Sequence, residues 1–171
     1  MFKSKVFLVI GIIFSLALLF AFSASASNFD IAISSITASS YQSGYDASKA
    51  SDNTYNSASN YWAANAAPST GTPQWIKFDL GSAKYVGAIE IFPDTGYGPK
   101  DFTIETSTDN STYTVRKTIN LTADKRTFNY WTPVKARYIM IKATSGFNSA
   151  CRIREAYNFS DILPHRVAEL T

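Results

Sequence analysis

From Thr72 to Gly81 the chain reads TPQWIKFDLG, and this run constrains the fold more than any other. Ile76, Phe78 and Leu80 fall on one side of an extended chain while Trp75, Lys77 and Asp79 fall on the other, and Gly81 supplies a turn. The segment is a half-buried strand. Similar segments follow at residues 84–92, 101–107, 113–119, 126–130, 137–143 and 151–157. PDTGYGPK at 93–100 and TDNST at 108–112 carry the Gly, Pro, Asp and Asn that tight connections require. Residues 31–40 add a β-rich opening segment, and past the first 26 residues no stretch keeps a 3.6-residue apolar period. Seven or eight short strands spaced in this way predict an all-β, antiparallel β-sandwich. Residues 41–74 are polar, rich in Ser, Asn, Ala and Tyr, and far longer than ordinary connections of up to ~12–15 residues. Folded loops carrying a site are expected there.

The N-terminus has another character. Lys3 and Lys5 precede an almost wholly apolar run at 6–22, and Ala24, Ser25 and Ala26 follow it, which is the order of an export signal cleaved after Ala26. The run exceeds the ~7–15 apolar residues usual for a signal and approaches the ~18 that span a bilayer, so an uncleaved anchor is the alternative. Either way the folded part, residues 27–157, is expected outside the cell, secreted or at its surface, with 158–171 a weakly patterned tail. Without Lys3 and Lys5 the 16 basic residues become 14, against 13 acidic ones, a net charge of +1. That balance offers no basic field for nucleic acid, or for a membrane beyond the leader itself. Cys151 is the only cysteine, so no intramolecular disulfide can form, and its neighbours Ala150 and Ile153 mark it as a small buried side chain.

The string WIKFDLG resembles the WIxxDLG element of the discoidin family, also called coagulation factor V/VIII type C domains, whose bacterial members are largely carbohydrate-binding modules. Further strings resemble the family in the same order: ITASSY near Ile36, ASKASDNTYNS at 47–57, PKDFTIETSTDNSTYT at 99–114, KARYIMIKA at 135–143 and IREAY at 153–157. The resemblance implies an eight-stranded antiparallel jelly roll with binding loops gathered at one end. Two departures stand out. Ser59 occupies the place of a Trp found in many members, with Trp62 as a substitute, and Asn53 replaces a Gly, a residue that also tolerates left-handed backbone. The terminal disulfide of eukaryotic members is absent, so the chain looks bacterial in type.

Catalysis is not expected. His165, in the tail, is the only histidine and no GxSxG surrounds any Ser, which removes the usual hydrolase and His-ligated metal chemistries. Asp79, Glu90 and Glu105 fall on strands whose exposed faces account for them without a glycosidase cleft, and Asp79 and Arg137 read as a structural ion pair. The expected role is a non-catalytic carbohydrate-binding module with a glycan ligand, its partner a separate enzyme or surface-protein chain. An adhesion domain recognising a protein or phospholipid surface is the alternative from another class.

The resemblance also implies a structural Ca²⁺ site. Mapped by position, its ligands are the Lys49 carbonyl, Asp52 carboxylate, Thr54 carbonyl, Ser57 hydroxyl and carbonyl, Arg154 carbonyl and Glu155 carboxylate, all oxygen donors as a hard cation requires. For the sugar, the apolar C–H face of a pyranose calls for an aromatic platform and its hydroxyl rim for amide or guanidinium partners. Trp62, Tyr97 or Phe147 is the expected platform, with Asn65, Asn148 and Arg152 as polar partners. The competing readings put Trp62 in the core, Tyr97 over its own turn and Arg152 on an exposed strand face.

Overall fold

Two strands of 20 residues each organise the molecule. The computed structural model describes residues 31–160; the expected leader with its cleavage site, and the tail beyond Ser160, lie outside the described residues. In chain order the strands are β1 (Ser35–Ala38), β2 (Trp62–Ala63), β3 (Gln74–Pro93), β4 (Pro99–Ser107), β5 (Thr114–Asn120), β6 (Thr127–Gly146) and β7 (Arg152–Ser160). Every pairing is antiparallel.

The antiparallel β-sandwich expected from the sequence is present, with seven strands where the jelly-roll resemblance implied eight. Two pairs of segments expected as separate strands are continuous, 75–80 with 84–92 in β3 and 126–130 with 137–143 in β6, while the short β2 adds one strand within the expected loops. In β3 the inward side chains Gln74, Ile76, Phe78 and Leu80 alternate with outward ones, residues 81–85 are all exposed, and burial resumes at Val86. The register with β6 shifts between Asp79 and Lys84, so the long strands bend there and pass from one layer to the other. Their first halves and second halves serve different layers. One layer holds β1, residues 74–79 of β3, residues 138–146 of β6, β4 and β5; the other holds β2, β7, residues 84–93 of β3 and residues 127–136 of β6. β7 continues to Ser160, pairing with β3 three residues past the expected domain boundary at 157.

Between the layers lie Ile76, Phe78, Val86, Ile89, Ile104, Ile139, Ile141 and Ile153, each at most 1% exposed. Burying such a side chain contributes roughly 1.5–3 kcal/mol. Cys151 belongs to this core at 2% exposure, and burial pushes its thiol up to about 12, which makes it inert. Glu90 and Glu105 do not occupy exposed faces as expected: they are 3% and 7% exposed, held by Arg126 and by Thr103 and Lys142 respectively. Asp79 and Arg137 form the expected pair, bidentate at 2.8 and 2.9 Å.

Candidate functional site

The connection from β3 to β4 is tight. Gly96 takes a φ of +86°, and a Cβ on Gly98 would stand 2.4 Å from Pro93 Cβ and 2.5 Å from Asp124 Oδ1, so only glycine fits there. Tyr97 N–H donates to Asp94 O at 2.8 Å, closing the turn, and Arg152 N–H donates to Tyr97 O at 2.9 Å, fastening it to the start of β7. The next connection joins the same place: Asn148 Nδ2 donates to Gly96 O at 2.8 Å, and Phe147 N–H donates to Gly98 O at 3.0 Å. Asn65 follows Ala64, whose N–H donates to Cys151 O at 3.0 Å. Backbone hydrogen bonds thus gather the segments carrying Asn65, Tyr97, Phe147, Asn148 and Arg152 at one end of the sandwich.

Arg152 is the centre of this end. Its guanidinium lies 4.2 Å from the Tyr97 ring centroid and 5.2 Å from that of Tyr61, which in turn stacks on Tyr45 at 4.7 Å. Arg152 Nη1 donates to Asp94 Oδ2 at 3.2 Å, and Arg154 Nη2 donates to Asp94 Oδ1 at 2.6 Å. One carboxylate therefore faces two guanidiniums, and Arg152 Nε is buried with no hydrogen-bond partner among the described residues. Tyr97 is 38% exposed and Asn148 and Asn65 are exposed, so an aromatic ring, amides and a positive donor meet solvent together. Arg152 is packed between rings rather than spread on an open strand face.

Trp62 requires a correction. It is 1% exposed, and its Nε1 donates to Ser40 O at 3.0 Å, so its face is not available to a ligand. The ring fills the core beside Ile153, its partner in register, which is the role left open by Ser59. Sequence reasoning missed Asp94. In PDTGYG an Asp reads as turn chemistry, and its place beside two Arg of β7 is visible only in the fold.

The expected cation ligands converge on residues 49–57 and β7. Thr54 N–H donates to Asp52 Oδ1 at 3.0 Å and to Glu155 Oε2 at 3.3 Å, placing the two carboxylates on one backbone group. Asn53 between them has a φ of 61°, the left-handed geometry its replacement of Gly called for. Asn60, unnoticed in the sequence, donates Nδ2 to both Asp52 oxygens at 2.9 Å and to Thr54 O at 3.3 Å. Arg154 Nη1 donates to Ser57 O, and Lys49 Nζ donates to Asn60 Oδ1 at 3.2 Å. Donors thus converge on several of the oxygens expected to hold a cation. Glu155 is 1% exposed with Oε1 buried and unpartnered, and burial, then the charge of Asp52, pushes its carboxyl up to about 7. Among the described residues no cluster of three or more His, Cys, Asp or Glu exists, so a cation here would rest on two carboxylates and on carbonyl and hydroxyl oxygens. That donor set suits Ca²⁺ and not a transition metal.

A β-sandwich with polar and aromatic loops gathered at one end defines a binding domain. The F5/8 type C domain matches residues 35–156, and the chain belongs to that family. Among solved structures it is similar to chitosan-binding module 1 of a chitosanase/glucanase from Paenibacillus sp. IK-5, at 25% identity and a TM-score of 0.63, covering 77% of this chain and 98% of that one. It is also similar to the CBM32 of AlyQ in complex with 4,5-unsaturated mannuronic acid, at 27% identity and a TM-score of 0.61, covering 76% and 97% of the two chains. The family 32 module of Clostridium perfringens NanJ, in complex with galactose, shares the fold at 21% identity and a TM-score of 0.63, covering 74% and 93%. A search of curated protein sequences returned no match.

Proposed function

We propose that this chain is an exported, non-catalytic carbohydrate-binding module whose ligand is held at the Tyr97–Arg152 end of the sandwich, and that residues 49–57 with β7 bind a structural Ca²⁺. The observation that carries the glycan reading is Arg152 laid against the Tyr97 ring at 4.2 Å with a buried donor still unpartnered, beside the exposed amide of Asn148. A sugar needs a ring to stack on and fixed donors for its hydroxyls, and this end supplies both. The solved relatives that bind chitosan and 4,5-unsaturated mannuronic acid support the class of ligand. Tyr97 and Phe147 are the platform, with Asn65, Asn148 and Arg152 as partners. The Ca²⁺ would be held by Lys49, Asp52, Thr54, Ser57, Arg154 and Glu155, and would supply a charge that ties the long loop to β7. The paired carboxylates and the unpartnered Glu155 Oε1 support it.

A glycan array tests the function, followed by titration of a bound glycan against Tyr97→Ala and Phe147→Ala. At least one variant is expected to lose binding while keeping its melting temperature. Unchanged affinity in both places the site elsewhere, and sedimentation with phosphatidylserine liposomes in place of any glycan signal would make the domain a membrane-surface reader.

A further inference from the structure

Arg154 touches both candidate sites at once. Its Nη1 donates to Ser57 O on the 49–57 loop, its Nη2 donates to Asp94 Oδ1 at 2.6 Å, and Asp94 Oδ2 accepts from Arg152 Nη1 at 3.2 Å. The sequence of contacts Ser57–Arg154–Asp94–Arg152 is unbroken and mostly shielded, with side-chain exposures of 20% for Arg154, 9% for Asp94 and 24% for Arg152. We propose that Arg154 and Asp94 are positioning residues that couple cation occupancy of the 49–57 loop to the placement of Arg152 at the glycan end. The inference rests on the calcium reading and is independent of which glycan binds.

The physical reason is competition for one carbonyl. Ser57 O is both the acceptor of Arg154 and an expected cation ligand, and a guanidinium and a divalent cation repel each other at that range. With the loop loaded, Arg154 gives up Ser57 and turns both Nη groups to Asp94, because a fork on a carboxylate is stronger than a single bond. Asp94 then lets go of the longer of its two contacts, the 3.2 Å one to Arg152. Arg152 stays against Tyr97 and Tyr61, and its Nη1, no longer held by Asp94, becomes a donor open to ligand. Linkage makes the effect reciprocal: a ligand that engages Arg152 tightens cation binding by the same factor.

The test needs no glycan. In ¹⁵N-labelled protein titrated with CaCl₂, the Nε–H signal of Arg152, assigned by its loss in Arg152→Lys, is expected to shift with the same midpoint as the heat of binding. In Asp94→Asn and in Asp94→Ala calcium heat is expected to persist, since Asp94 is not among the expected cation ligands, while the Arg152 signal stops responding. If one variant fails to fold, the other decides. Calcium heat with an unmoved Arg152 signal in the unsubstituted protein, or a response that survives the substitutions, overturns the coupling and leaves the calcium and glycan readings standing. Absence of any calcium heat overturns the coupling together with the calcium reading, and leaves the glycan reading untouched.

Discussion

Two of the acid–arginine constellations among the described residues are built to opposite ends. Asp79 accepts from Arg137 Nε and from Gly81 N–H through Oδ1, both at 2.8 Å, and from Arg137 Nη2 at 2.9 Å through Oδ2. The Arg137 hydrogen bond holds the Asp79 carboxyl below its usual range, and one acid meets one base with both oxygens engaged. At the loop end Asp94 is shared between Arg152 and Arg154, and among the described residues neither Arg152 Nε nor the buried Oε1 of Glu155 in β7 has a hydrogen-bond partner. A closed pair can only hold strands together. An open one has capacity left for something else, and buried polar atoms are left unsatisfied only rarely. The difference separates scaffold from candidate site: the acid in the most recognisable string of the sequence is structural, whereas the arrangement with unpartnered polar atoms sits where loops meet β7.

The comparison is broken most sharply at Glu155. Burial, with the charge of Asp52, raises its carboxyl from 4.5 to about 7, so the folded state holds a proton that the unfolded chain has lost between those two values. Stability of the calcium-free protein is therefore expected to fall as pH rises through that window, by about 3 kcal/mol in all. Glu155→Gln should flatten the profile. The proposed calcium site would take the ionised form, so a concentration ~100 times its dissociation constant should return ~2.7 kcal/mol at neutral pH in the unsubstituted protein and not in the variant. Urea denaturation in chelator and in CaCl₂ reads both effects, and a profile that is flat in chelator would place Glu155 with the closed pairs.

Asp94 comes next. Replacing it with alanine leaves two largely shielded guanidiniums without their carboxylate, which is expected to cost about 2 kcal/mol, below the figure for fully buried pairs because Arg152 and Arg154 keep some access to water. Chemical denaturation measures it. A cost as small as that of an exposed pair would mean that water, and not Asp94, satisfies the two arginines.

Much of the scaffold could be read from the sequence because a strand states its burial residue by residue. The alternation in WIKFDLG places Ile76, Phe78 and Leu80 inside, and they are 0%, 0% and 3% exposed. What alternation cannot state is whether two neighbouring runs are one bent strand or two, since the exposed residues 81–85 look like a loop in either case. The candidate site was readable only in part. Tyr97, Asn148 and Arg152 could be named because their residue types suit a sugar, but Trp62 suits one equally well and is consumed by the core. The choice between them depends on tertiary packing: Trp62 sits opposite Ile153 in the core, and no local pattern reports that neighbour. Asp94 and Asn60 were missed because their roles come from partners 58 to 60 and 8 residues away in the chain, respectively.

The smallest effect belongs to the closed pair. The Arg137 side chain is 40% exposed and that of Asp79 18%, so water screens the interaction and competes for both partners. A double-mutant cycle of Asp79→Ala and Arg137→Ala is expected to give a coupling energy of about 1 kcal/mol or less, despite the bidentate geometry. Neither substitution should alter glycan affinity or the calcium response of Arg152, because among the described residues no side-chain hydrogen bond or ion pair joins this pair to the Asp94 cluster. Coupling comparable to the loss in Asp94→Ala would show that the pair is worth more than its exposure allows. A change in the Arg152 signal would join the two constellations into one network, and the division between scaffold and site would have to be redrawn along β3, the strand that carries Asp79 in one layer and leads to Asp94 from the other.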